Sequence, residues 1–210
     1  MVHNHYQIPG GEDTVVDNEI KMLKNHGHEV IFYSRSNNEL KTMSKWRKLG
    51  LPFTTIFSFK TYREIKQIIK RENIDIVHVH NTLNMISPSV YYAAFSCNVP
   101  VFQTVHNFRL LCPAATFYRD GKICEDCMTK GLKCAVSNKC YRGSKLETLA
   151  CVLNLKIHRA FGTYKKVNYI CLTEFNKQKL LEINSGKREI INPNKIHVKP
   201  NFIWNSEAEV

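Results

Sequence analysis

No stretch of the 210 residues approaches the ~20 consecutive apolar positions of a membrane-spanning helix, which excludes such a helix. The opening Met-Val-His-Asn-His-Tyr lacks a basic region leading into an apolar run, so no secretory leader is read there and a cytoplasmic location is expected. Repeats and low-complexity tracts are also missing, and 43% hydrophobic with 23% charged residues is the composition of a folded domain. Acidic residues are scarce. Only 18 Asp and Glu stand against 30 Lys and Arg, a formal charge of +12 that points to anionic partners: nucleic acid, an anionic membrane face or phosphorylated substrates.

Short β-branched runs alternate with amphipathic stretches, the pattern of an α/β doubly wound parallel sheet with helices on both faces. Strands are predicted at 29–34, 74–80, 99–105, 167–172 and 196–199, with a short first strand near 2–6. Gly10-Gly11-Glu12-Asp13 precedes Val16, Ile20 and Leu23 at helical spacing, and Gly27 ends that helix. The basic, Asn-rich stretch 36–48 reads as a loop with a weak helix, and a helix is predicted over 62–72. Residues 107–141 break the alternation as a basic, cysteine-rich insertion. A long helix over 144–166 follows, with Leu146, Leu149, Leu153, Ile157, Ala160 and Tyr164 as its expected apolar stripe and Lys145, Lys156, Arg159 and Lys166 along one flank.

In open α/β sheets, ligands bind at the carboxyl ends of the strands. Gly10, Gly11, His80, Asn81, His106 and Asn107 all fall at predicted strand ends and are expected to converge there. The glycine pair precedes a helix N-terminus, where free N–H groups and the dipole can receive a phosphate or a hydroxyl; the plainer alternative is a tight turn. Alternation would bury one of His78 and His80, leaving the other as a loop cap. His106, delivered by the strand Val-Phe-Gln-Thr-Val, is the candidate for a chemical role. Thr173 reads as an N-cap with Glu174 a first-turn acid, although an acid at a strand end could also meet a substrate hydroxyl.

The reducing cytosol favours thiols or metal ligands over disulfides for eight cysteines. Cys112, Cys124, Cys127 and Cys140 form a CxxC pair flanked by two single thiols, with Cys134 as an alternative fourth. Four thiolates could close a structural Zn²⁺ site and staple a loop too long to order itself. Unligated thiols and a redox pair are the other readings. The redox reading fails to place CxxC at a helix start after a strand. Cys97, Cys151 and Cys171 lie in apolar stretches and are expected in the core.

Three motifs, Tyr6-Gln7-Ile8-Pro9-Gly10-Gly11-Glu12-Asp13, Asp75-Ile76-Val77-His78-Val79-His80-Asn81 and Thr104-Val105-His106-Asn107-Phe108-Arg109, resemble the N-terminal domain of glycosyltransferase family 4. The segment from Cys112-Pro113 through Gly121-Lys122-Ile123-Cys124-Glu125-Asp126-Cys127 to Cys140-Tyr141-Arg142-Gly143-Ser144 is similar to an insertion of one bacterial branch. The resemblance implies the Rossmann-like N-terminal half of a GT-B fold over residues 1–200. Residues 201–210 would start the interdomain linker, and the donor-binding domain would lie outside the chain, leaving the chain inactive alone. It also implies a retaining enzyme of bacterial polysaccharide synthesis that needs no catalytic metal or other catalytic cofactor, taking a nucleotide-sugar donor and a glycan or lipid-linked acceptor. By motif, Gly10 and Gly11 would contact donor diphosphate or acceptor, His106 would bond the transferred sugar, and His80 and Asn81 would shape the acceptor side.

The basic long helix is expected either to meet an anionic membrane surface or to be an ordinary solvated face. A zinc-stapled nucleic-acid-binding module is the competing function. It requires exposed aromatics interleaved with Lys and Arg, which the sequence supplies sparsely, so no nucleic-acid partner is expected.

Overall fold

Six short strands pair in parallel in the computed structural model, which describes residues 1–202 apart from 9, 45, 47, 48, 84 and 187. They are β1 (Val2–His5), β2 (Tyr33–Ser36), β3 (Val77–Asn81), β4 (Val101–Val105), β7 (Asn168–Cys171) and β8 (Ile196–Val198), arranged β2-β1-β3-β4-β7-β8. β5 (Tyr118–Arg119) and β6 (Lys122–Ile123) form a separate antiparallel hairpin inside the cysteine-rich insertion. The main helices are α1 (Gly11–Asn25), α2 (Phe59–Arg71), α3 (Ser89–Phe95), α4 (Lys145–Ala160) and α5 (Glu174–Leu181). This is the predicted Rossmann-like α/β architecture. The order runs outward in both directions from β1, so the topological switch lies between β1 and β3, where open sheets bind ligands.

Strand alternation gives the sheet two unlike faces. Val2, Val77, Val79, Val101, Val105, Tyr169 and Ile196 point into the apolar core with Ile65 and Ile69 of α2 and Val90 of α3. The other parity carries His3, His5, His78, His80 and Thr104, and α1 covers it through Asp13 and Glu19. Register fixes the match across strands: Val77 pairs with Val101, and Gln103 with Tyr169.

Three expectations need correction. The strand predicted at 29–34 begins only at Tyr33, whose N–H donates to Met1 O at 2.9 Å, so pairing starts where its β1 partner starts. The long helix predicted over 144–166 ends at Ala160, because Gly162 sits in the left-handed region at φ 66°; Thr163–Lys166 is a separate turn. Of the expected apolar stripe, Tyr164 is buried in the core, but the leucines lie on the outer face of α4. Leu146 is 64% exposed, and Leu149 and Leu153 are 39% exposed each. The buried face instead carries Thr148, Cys151, Asn154, Leu155 and His158.

Those polar side chains can be buried because each finds a partner. Thr148 Oγ1 donates to Ser144 O at 2.6 Å, and Asn154 Nδ2 donates to Thr55 O at 3.0 Å. His158 Nε2 meets Ile56 O and its Nδ1 meets the Tyr92 hydroxyl, both at 3.0 Å. A short helix, Leu51–Ile56, which the sequence did not announce, supplies two of these acceptors. Arg159 leaves the predicted basic flank as well, since its guanidinium donates to Leu110 O and is largely buried. The predicted weak helix within 36–48 is the single turn Glu39–Thr42, with part of the rest outside the described residues, as are positions 203–210 of the expected linker.

Candidate functional site

His80 and Asn81 end β3, and His106 and Asn107 follow β4, so parallel register sets them side by side at the switch point. They line a cleft that continues past Arg109 to Asn154 and Leu155 of α4. His80 Nδ1 and His106 Nε2 lie 2.9 Å apart with rings stacked at 5.2 Å, so one nitrogen donates and the other accepts. Asn81 is buried and structural in its contacts: its Nδ2 donates to Asn4 O at 2.8 Å and its Oδ1 accepts from Leu83 N–H at 3.1 Å. Gln103, unmarked in the sequence, donates to His80 O at 2.7 Å and accepts from the Tyr91 hydroxyl, fixing the end of β3.

Asn107 ties this strand-end cluster to the glycine turn. Its Nδ2 donates to Glu12 Oε1 at 2.9 Å, and its Oδ1 accepts from Arg109 N–H at 3.0 Å. Gly10 is the N-cap of α1, and its N–H donates to Asp13 Oδ2 at 2.8 Å. Gly10 has φ −136°, and a Cβ built on Gly10 or Gly11 would meet nothing within 4 Å. Neither a left-handed conformation nor close packing therefore demands glycine at Gly10, and at both positions the missing side chains leave open space at a helix N-terminus.

Glu174 does not join the group. It is exposed in the first turn of α5, 4.0 Å from Lys177, while Thr173 Oγ1 accepts the Asn176 N–H as an N-cap. Its neighbour Phe175 meets Phe108 edge-on, which leaves Glu174 outside the cleft lining.

Burial, then the neighbouring His80, pushes His106 down to about 4, and burial pushes His78 down to about 3. Both imidazoles are neutral near pH 7. Burial by itself would raise Glu19, but His80, His78 and Lys199 draw its carboxyl down to about 2, so it stays ionised. Lys199, just past β8, donates to Glu19 Oε1 at 2.6 Å and places a permanent cation against that buried carboxylate. Glu12 is raised by burial, with Asn107, Tyr6 and Arg109 opposing the shift.

Glu19, His3, His5, Lys199 and Arg109 are the site-region residues that sequence reasoning passed over. A signal was present. His-x-His occurs in both β1 and β3, period-two alternation puts all four on one face, and Glu19 lies one helical turn from Val15 and Val16 on the buried side of α1.

The insertion gathers its thiols around Cys127, whose own thiol is pushed up to about 12 by burial and by Cys112, Cys140, Cys124 and Cys134 nearby. All eight cysteines are unpaired thiols. The groups whose ligand atoms all come within 4.8 Å among the described residues are His3–His5–Asp13 and Glu19–His78–His80, and no cysteine set is so tightly converged. Cys151 and Cys171 are buried, while Cys97 is half-buried at the end of α3.

No individual curated protein matches the chain. The family model for Glycosyltransferase Family 4 matches residues 9–126, from the glycine turn through both histidine-bearing strand ends and into the cysteine-rich insertion. That match takes in more than half of the chain, and the parallel sheet carries the matched motifs at its carboxyl edge. The chain belongs to glycosyltransferase family 4, and its kind of enzyme is a glycosyltransferase.

Proposed function

We propose that this chain is the acceptor-binding N-terminal domain of a retaining glycosyltransferase, which works with a donor-binding domain on a nucleotide-sugar and a glycan or lipid-linked acceptor. The observation that carries the reading is the bonded His80–His106 pair at the switch point, with His106 held neutral by burial and the pair joined through Asn107 and Glu12 to the open glycine turn. A neutral His106 bonded to His80 through Nε2 keeps Nδ1 for a sugar hydroxyl, in the role opposite to that of its Nε2. Gly10 and Gly11 leave room for a phosphate or hydroxyl against the first N–H groups of α1. In a front-face transfer the departing phosphate takes the acceptor proton, so the histidine positions the sugar and stabilises charge without acting as nucleophile.

The exposed Leu146, Leu149 and Leu153, flanked by Lys145 and Lys156, with exposed Phe53 on the helix Leu51–Ile56 that packs against α4, favour an anionic membrane surface as the place where a lipid-linked acceptor is met. On this reading the enzyme works at the cytoplasmic face of a membrane. In the insertion, where four thiols surround Cys127, a structural Zn²⁺ would be taken through Cys112, Cys124, Cys127 and Cys140 once their sulfurs draw in to ~2.3 Å from the ion.

The test joins a family donor-binding domain behind Asn201 and measures nucleotide-sugar binding and transfer. Transfer should fall roughly 100-fold or more in His106→Ala, the loss expected from removing one preorganised hydrogen-bonding group at a transition state. A folded, joined protein that neither binds nor transfers any sugar rejects the proposal.

A further inference from the structure

We propose that Glu19, His78 and His80 form a divalent-metal site of the zinc class, which pins α1 to β3 beneath the cleft. Glu19 Oε2 lies 3.2 Å from His80 Nε2 and 3.6 Å from His78 Nδ1. Donors ~2.1 Å from a tetrahedral Zn²⁺ stand roughly 3.4 Å apart, so these spacings suit three ligands of one ion. Glu19 Oε2 and His80 Nε2 are fully buried atoms, yet neither is aligned for a hydrogen bond with any partner among the described residues. Together with His78 Nδ1 these ligand atoms all lie within 4.8 Å of one another, so a single ion can reach all three.

The outer nitrogens are already held. His78 Nε2 bonds Thr104 Oγ1 at 2.7 Å, and His80 Nδ1 bonds His106 Nε2 at 2.9 Å. This is the arrangement by which outer partners orient metal-binding imidazoles. His78 Nδ1 faces the Glu19 carboxylate at 3.6 Å, and in the tautomer that carries its hydrogen on Nε2 towards Thr104 that Nδ1 offers a lone pair which a cation between the two groups would engage. Lys199 occupies Oε1 only, which leaves Oε2 as a single-oxygen ligand. Two imidazoles and one carboxylate select zinc-like ions over Mg²⁺ or Ca²⁺, and a water completes the fourth position. The neighbouring His3–His5–Asp13 group differs, because there Asp13 Oδ1 receives His5 Nδ1 at 2.6 Å and His3 Nε2 at 3.0 Å as aligned hydrogen bonds. The site shares His80 with the pair beside the cleft, but its test reads metal binding without any transfer.

Titration of the full chain with Co²⁺ tests it, because thiolate ligands give a near-ultraviolet charge-transfer band that a nitrogen–oxygen site lacks. One equivalent with visible d–d bands and no thiolate band is expected. It should disappear in His78→Gln and Glu19→Gln, survive in His5→Gln, and weaken about 10-fold in Thr104→Val through the lost outer partner. Absence of such an equivalent in the unmodified chain overturns the proposal whether or not the variants fold, and so does its persistence in folded His78→Gln.

Discussion

Acidification should expose how strongly the fold holds His106 neutral. A histidine whose folded value is depressed to about 4 stabilises the native state fully above its ordinary value of 6.5, and that contribution is lost as pH falls towards 4. Between pH 7.5 and pH 5 the unfolded imidazole takes up most of a proton and the folded one almost none. At ~1.36 kcal/mol per pKa unit, this difference is about 2 kcal/mol for His106, an upper figure because its ring edge opens on the cleft. Urea unfolding of the unmodified chain and of His106→Asn at both pH values isolates the effect, since the carboxylates and remaining histidines are common to both proteins. The variant should lose up to about 2 kcal/mol less on acidification, with similar denaturant slopes. Equal losses would refute the reasoning: His106 would then titrate in the native protein as it does in the open chain, and a neutral His106 could not be assumed at working pH.

Two further outcomes follow from side-chain placement. Gly11→Ala places its Cβ in open space at the first turn of α1, so the unfolding free energy should hold or rise by the ~0.5–1 kcal/mol that glycine costs in a helix, while transfer by the joined enzyme falls. Lost stability with retained transfer would restore the tight-turn reading. On α4, Leu155→Ala should cost roughly 2–5 kcal/mol, because Leu155 is 5% exposed, whereas Leu153→Ala, at 39% exposed, should cost well under 1 kcal/mol and weaken sedimentation with anionic vesicles. The reverse ranking in denaturant melts would return the leucine stripe to the core.

The α4 result shows where sequence patterning succeeds and where it stops. Alternation identified the parallel sheet and its strand ends because each of those signals is local: two-residue periodicity for β3 and β4, and a glycine pair before α1. The same local logic turned α4 over. A leucine repeat at 146, 149 and 153 looks like a buried stripe, but Asn154 and His158 won the inward position through partners on Thr55 and Ile56 and on Tyr92, which lie 66 to 102 residues away for His158 and 99 for Asn154. No window on α4 contains those partners. The site divides in the same way. His80 and His106 were legible as strand ends, yet what makes them a pair is the register of β3 against β4, and what lies behind His80 is a carboxylate from α1 and an ammonium from beyond β8. Lys199 and Glu19 are 180 residues apart in sequence and 2.6 Å apart in space. A buried carboxylate is tolerable only with compensation of this kind, since without a partner it would protonate or unfold its surroundings. Glu19 on the inner face of α1 was therefore the one local irregularity that required a distant cation, and an acidic residue amid Val15, Val16 and Ile20 is the sign by which such a site can be sought before any coordinates exist.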